Sequence, residues 1–127
     1  MNSMEAFDRL LASLGVEVMF TKAAMRDLTS YPKGQREQIL ALIVDRARRG
    51  PMFKPEGIAE SLSGDLRGLA KIKPKHLALR IVYRPVKRDG KVVMEILAIG
   101  PRDHDKVYRT AARRLAEFRH QQMDDEL

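Results

Sequence analysis

The sequence predicts an α+β domain in which an N-terminal strand and a helical hairpin pack on an antiparallel β-meander that is followed by a C-terminal helix. Three observations carry that expectation. Apolar residues recur at helical spacing through the first half, alternate with polar ones from Leu69 to Ile99, and return to helical spacing after Gly100-Pro101. The 127 residues suffice for one domain with one modest core. With 44% hydrophobic and 32% charged residues the chain reads as globular, and no apolar run approaches the roughly 20 residues that span a bilayer.

Met4, Phe7, Leu11 and Leu14 fall at helical spacing, Asn2 and Glu5 are placed as in a capping box, and Gly15 can end the helix. Residues 1–15 are therefore expected to form an amphipathic helical extension ahead of a main domain at 16–118. Val16, Val18 and Phe20 alternate within a first strand. Thr21 can then cap a helix whose Ala24, Leu28 and Tyr31 share a stripe, stopped by Pro32. A second helix, Gly34 to Arg49, turns Ile39, Leu42, Ile43 and Ala47 inward and ends at Gly50-Pro51. Together these two helices make the antiparallel hairpin.

Residues 51–63 hold two prolines and a glycine without sustained period, which predicts a surface connection with a mobile tip. Alternation then places Ala70 and Ile72 on one face and Lys71 and Lys73 on the other. After a turn at Pro74 to His76, the stretch LALRIVYR puts Arg80, Val82 and Arg84 on the face opposite Leu79, Ile81 and Tyr83. Asp89-Gly90 is a two-residue hairpin signal, and Lys91 to Ile99 forms the return strand before Gly100-Pro101 breaks the sheet. Asp103 to Asp105 offer caps for a last helix with Val107, Ala111, Leu115 and Phe118 in its buried stripe and Tyr108 at its start. Residues 119–127 have little to bury and are expected to fray.

The charge is unevenly spread. Residues 64–91 carry nine Lys or Arg against two Asp, a local excess equal to the net +7 of the whole chain. A basic sheet that alternates charged with apolar residues suits a polyanion, here RNA. The absence of cysteine excludes disulfides, thiolate metal sites and Cys nucleophiles. His76, His104 and His120 are too scattered to suggest a metal cage. Catalysis would fall to Lys, Arg, Tyr, Asp or Glu. The charged start, with Glu5, Asp8 and Arg9, lacks the apolar stretch of a signal peptide, so a cytoplasmic protein without membrane association is expected.

Five short motifs stand in order: Leu66-Arg67-Gly68, Lys71-Ile72-Lys73, Arg80-Ile81-Val82-Tyr83, Ile99-Gly100-Pro101-Arg102 and Val107-Tyr108. With the element order, they make residues 16–115 resemble the RelE/ParE toxin superfamily and imply a compact RelE-like domain. The RelE branch comprises toxins of toxin–antitoxin pairs that cut messenger RNA in the ribosomal A site; the ParE branch inhibits DNA gyrase. Carried over by motif, the RelE site would consist of Lys71, Lys73, Arg80, Arg102 and Tyr108, a set that gyrase-directed members usually lack. The resemblance thus implies a ribosome-dependent, metal-independent endoribonuclease without a small-molecule cofactor, partnered by a cognate antitoxin, the ribosome and messenger RNA. Gyrase inhibition by protein contacts is the alternative. Two departures from the pattern are Pro74, directly after the K-I-K strand, and a longer hairpin at Arg88 to Lys91.

Cleavage by a 2′-hydroxyl needs a base, positive charge for the phosphorane and an acid for the departing 5′-oxygen. With no histidine in place, a lysine or tyrosine would have to titrate away from its usual value of about 10. Clustered cations would disfavour the charged form of Lys71 and favour tyrosinate at Tyr108, and either can serve as base. Arg102 and Lys73 would stabilise the transition state, and Arg80 would position the phosphate and act as donor. Lys75, Arg84, His104 and Arg113 are further candidates for RNA contact. Tyr83 is expected in the core, Tyr31 at the helical hairpin, and Arg113 and Arg114 on the outer side of the last helix.

Overall fold

The computed structural model describes residues 3–126, with the side chains of Ser3, His104 and 118–126 outside the description. The expected cap at Asn2 and the burial of Phe118 therefore lie outside the described residues. Helix α1 (Ser3–Ser13) precedes strand β1 (Val16–Phe20), helices α2 (Lys22–Thr29) and α3 (Lys33–Arg49), strands β2 (Ala70–Ile72), β3 (Leu79–Arg88) and β4 (Lys91–Pro101), and helix α4 (Lys106–Glu126). Short 3-10 turns occupy Gly64–Leu66 and Asp103–Asp105.

The four strands form one mixed sheet in the order β1-β4-β3-β2. The meander β2-β3-β4 is antiparallel, as its alternation and the Asp89-Gly90 turn predict. Strand β1 lies parallel to β4, from Val16 opposite Val92 to Phe20 opposite Ile96. A parallel neighbour needs a long connection rather than a hairpin, and the two helices with the 50–69 segment belong to it. Strand β4 also outruns its predicted end: Gly100 and Pro101 stay in register with Arg80 and Leu79. One bulge interrupts the β3–β4 ladder, because Val82 faces Ala98 while Tyr83 faces Ile96, leaving Leu97 as the extra residue.

Each face of the sheet has its own core. Toward α1, α2 and α3 lie Val16, Ala70, Ile72, Ile81, Tyr83, Met94, Ile96 and Ile99, packed on Phe7, Leu11, Ala24, Leu28, Ile39 and Ile43. Toward α4 lie Val82, Leu97 and Ala98 against Val107, Ala111 and Leu115. Thr21 caps α2 by accepting the Ala24 N–H at 3.1 Å, as its position predicts.

Several expectations are corrected. Leu14 lies beyond the end of α1 and is exposed, so Phe7 and Leu11 anchor that helix. Helix α3 buries Leu40 and Val44 more fully than Leu42, because α1 covers a second side of it. The segment after α3 is tied down rather than loose. Phe53 bridges to Ala59, which is buried, and the Tyr83 hydroxyl donates to the Pro51 carbonyl at 2.9 Å. Gly57 is required there, since a Cβ would come within 2.3 Å of the Met52 carbonyl oxygen.

Candidate active site

Register decides which cations meet on the α4 side of the sheet. Residues opposite one another in a ladder share a face. Lys71 lies opposite Val82 and Arg80 opposite Gly100, so both stand on the face that α4 covers. Helix α4 enters this face close to β4: a Cβ at Gly100 would lie 3.5 Å from Val107 Cγ2. Tyr108 follows Val107, and the Lys71 ammonium lies over its ring, 5.7 Å from the centroid. That is the range in which a cation is attracted by an aromatic face.

Beside this pair opens a cleft of about 420 Å³ lined by Leu62, Ser63, Asp65, Leu66, Asp105 and Arg109. None of these six is among the candidate catalytic or RNA-contact residues named from the sequence, although Leu66 belongs to the Leu66-Arg67-Gly68 motif and Asp105 to the expected caps of the last helix. Leu62 and Leu66 carried the one usable signal, two leucines four apart in an otherwise polar stretch from Glu60 to Gly68. They pack on the core beneath α4 and close one wall of the cleft. Asp105 holds a left-handed conformation (φ 58°) immediately before α4. Aspartate tolerates that region better than most residues, and the kink sets where Tyr108 begins its helix.

Arg80 is the most confined of the cations, 9% exposed, and its Nη1 donates to the neighbouring Leu79 carbonyl at 2.9 Å. Among the described residues no carboxylate pairs with Arg80, Lys71, Lys73 or Arg102. Lys73 lies just past the end of β2, where continued register would bring it opposite Arg80, and is exposed. Pro74 next to it has no N–H to extend the ladder. Arg102 is exposed and anchored through its backbone N–H, which donates to the Ala78 carbonyl at 3.3 Å. Lys75 and Arg113 are exposed, and the His104 side chain lies outside the described residues.

Arg84 shares the face of Arg80 but has a different environment. It forms an ion pair with Glu95, a buried carboxylate that also accepts from Arg88 Nη2 at 3.1 Å. Arg114, expected on the outer side of the last helix, turns inward. Its Nη1 donates to Asp27 Oδ2 at 2.7 Å and to the Leu97 carbonyl at 2.8 Å, while Asp27 Oδ2 accepts the Ile99 N–H at 3.0 Å. One charged knot thus joins α4, α2 and β4.

Burial pushes the Tyr83 hydroxyl above its ordinary pKa, and a hydrogen bond and the charge of Arg46 pull the other way. Burial, then the charge of Asp27, raise Tyr31 likewise. Among the described residues no group of three or more His, Asp or Glu is placed to hold a metal ion.

No protein-family model matches the sequence, and no curated protein does. Solved structures match its fold. A double arginine-to-alanine mutant of the Escherichia coli toxin RelE in the free state superposes with a TM-score of 0.60 at 24% identity, over 77% of this chain and 95% of that one. The same mutant in complex with an antitoxin RelBc peptide gives 0.55 at 24% identity, over 76% and 94%. A YoeB/ParE toxin from Agrobacterium tumefaciens gives 0.52 at 18% identity, over 67% and 96%.

Proposed function

We propose that this chain, which has the fold of the RelE/ParE toxins, is the toxin of a toxin–antitoxin pair and a metal-independent endoribonuclease that cuts messenger RNA in the ribosomal A site. The observation that carries the reading is Arg80: a nearly buried guanidinium with no anionic partner among the described residues. Burying a charge without a counter-charge is costly, and a phosphate arriving at this face would supply one. Lys71 lies over the ring of Tyr108 at the start of α4, Arg80 stands on the same sheet face, and Lys73 and Arg102 directly follow the ends of β2 and β4.

In this reading the substrate 2′-hydroxyl gives its proton to Lys71 or Tyr108 and attacks the adjacent phosphorus. Arg80, Arg102 and Lys73 hold the charge that grows on the phosphorane oxygens. The bond to the 5′-oxygen breaks, and that oxygen takes a proton from Arg80, or from water held there, as it leaves. Tyr108 also offers a ring face for a base, worth about 1 to 3 kcal/mol in single-strand recognition. Much of the rate would come from the ribosome bending the codon into line, since fixed geometry alone is worth large factors. Lys75 and Arg113 add phosphate contacts. A cognate antitoxin would cover this basic face, and action on ribosomes would place the protein in the cytoplasm. Among the described residues no helix is long and apolar enough to cross a membrane.

The test is primer extension on messenger RNA bound to programmed ribosomes, with naked RNA as control. The expected result is cuts within the A-site codon that need the ribosome and vanish in a Lys71→Ala, Arg102→Ala, Tyr108→Phe triple variant. A protein that arrests growth without cutting would overturn the ribonuclease reading and direct attention to gyrase supercoiling.

A further inference from the structure

Lys71 sits on an unusually slight support. Strand β2 has three residues, lies at the edge of the sheet and is paired on one side only, with β3. Edge strands that short hold their place poorly unless something else fastens their backbone. Two hydrogen bonds from outside the sheet do so: Leu62 N–H donates to the Leu69 carbonyl at 2.9 Å, and Arg46 Nη1 donates to the carbonyl of Lys71 itself at 3.2 Å.

Arg46 is itself fixed. It lies in the last turn of α3, half-buried, and the same Nη1 donates to the Tyr83 hydroxyl at 3.1 Å, with the guanidinium carbon 5.9 Å from the centre of that ring. Tyr83 is fully buried in β3, opposite Ala70, and its own hydroxyl donates a hydrogen bond to the Pro51 carbonyl. A rigid core residue therefore holds Arg46, and Arg46 holds the backbone of Lys71. On the other face of the sheet the Lys71 side chain lies over Tyr108.

From this we infer that Arg46 is a positioning residue for Lys71: it pins the main chain of the edge strand so that the ammonium sits over the Tyr108 ring. The inference deepens the ribonuclease reading, and its catalytic consequence rests on that reading, but its geometric content does not.

The experiment is NMR of the full chain with ¹³Cε-labelled lysine, run beside the ribosome cleavage assay. In the wild type the Lys71 ε-protons are expected upfield of the other lysines through the ring current of Tyr108, with the signal assigned by its loss in Lys71→Arg and its displacement lost in Tyr108→Leu. Arg46→Met keeps much of the apolar stem and should return the signal to the range of the other lysines. Arg49→Met, which removes an equal charge from the same turn of α3 where Arg49 pairs with Asp45, should leave it displaced. In the cleavage assay Arg46→Met should lower kcat roughly 10- to 100-fold with KM little changed, the signature of a misplaced group. Should Arg46→Met not fold, Arg46→Gln, polar but too short for Lys71 O, carries the same expectation. A Lys71 signal that stays displaced in a folded Arg46 variant overturns the inference. A wild type that does not cut overturns the ribonuclease reading alone, and the NMR signal still decides the role of Arg46.

Discussion

Two groups of cations share the α4 face of the sheet, and the fold treats them in opposite ways. On one side of the bulge at Leu97, Arg84 and Arg88 meet Glu95, and at the bulge itself Arg114 meets Asp27 and the Leu97 carbonyl. On the other side, Lys71, Arg80, Lys73 and Arg102 have no carboxylate partner among the described residues. Every buried charge costs desolvation energy, and the first group recovers it within the fold. The second group, with Arg80 at 9% exposure, leaves that cost standing. Basic residues around one sheet face thus divide into those that the fold itself pairs, β3 to β4 or α4 to α2, and those without a carboxylate among the described residues, to which the proposed function assigns an outside anion.

The sharpest way to break this comparison is to remove the proposed chemistry and look for damage to the fold. Lys71→Ala with Tyr108→Phe should lower ribosome-dependent cleavage by about 10²- to 10⁴-fold, the usual worth of general acid–base groups. Thermal melting should be little changed, because Lys71 is exposed and Tyr108 half-buried. A large drop in melting temperature would mean that these residues belong with the structural group.

The converse substitution falls on the paired side. Asp27→Ala leaves Arg114 without its carboxylate and the Ile99 N–H without an acceptor. A loss of about 3 kcal/mol is expected, between the cost of one buried hydrogen bond and that of a broken buried ion pair, read by urea denaturation. Arg80→Met should behave unlike it. Removing an uncompensated guanidinium in favour of an apolar side chain of similar length should leave stability unchanged or raise it by about 1 kcal/mol while cleavage is lost. Destabilisation by Arg80→Met as large as that by Asp27→Ala would erase the distinction.

The smallest effect concerns the bracing behind the site. Tyr83 keeps its proton more firmly when folded, because burial outweighs the opposing influence of Arg46. Above the unfolded tyrosine value of about 10 and below the raised folded value, only the unfolded chain gives up the proton. Stability is therefore fully present below about pH 10 and falls as pH rises through that window. Tyr83→Phe should cost about 1 kcal/mol at neutral pH through its lost hydrogen bonds and should flatten the alkaline decline, leaving the part due to Tyr31. Equilibrium melts between pH 8 and pH 11 would show both effects.

Much of this molecule was legible in its residues. The alternation of Arg80, Val82 and Arg84 against Leu79, Ile81 and Tyr83 predicts which side of β3 meets α4, because a strand's side-chain period of two leaves no other choice. The Asp89-Gly90 turn, the Thr21 cap and the helical stripes of α2 and α4 follow from equally local rules. Of the basic residues in 64–91, Lys71, Arg80, Arg84 and Arg88 lie on the α4 face by parity, whereas Lys87 lies on the other and pairs with Glu56.

Only the tertiary structure decided how those cations are used. Arg80 and Arg84 are identical in type and parity, yet among the described residues only Arg84 of the two has a carboxylate partner, because Glu95 reaches it through a register that contains one bulge. Arg114 looked like a surface residue until Asp27, 87 positions away, was brought to it. Arg46 and Leu62, which fasten the edge strand, carry no local sign of that duty. Local rules fix where a side chain points. What it meets there depends on segments far apart in the chain, and their meeting is set by the packing of the whole core.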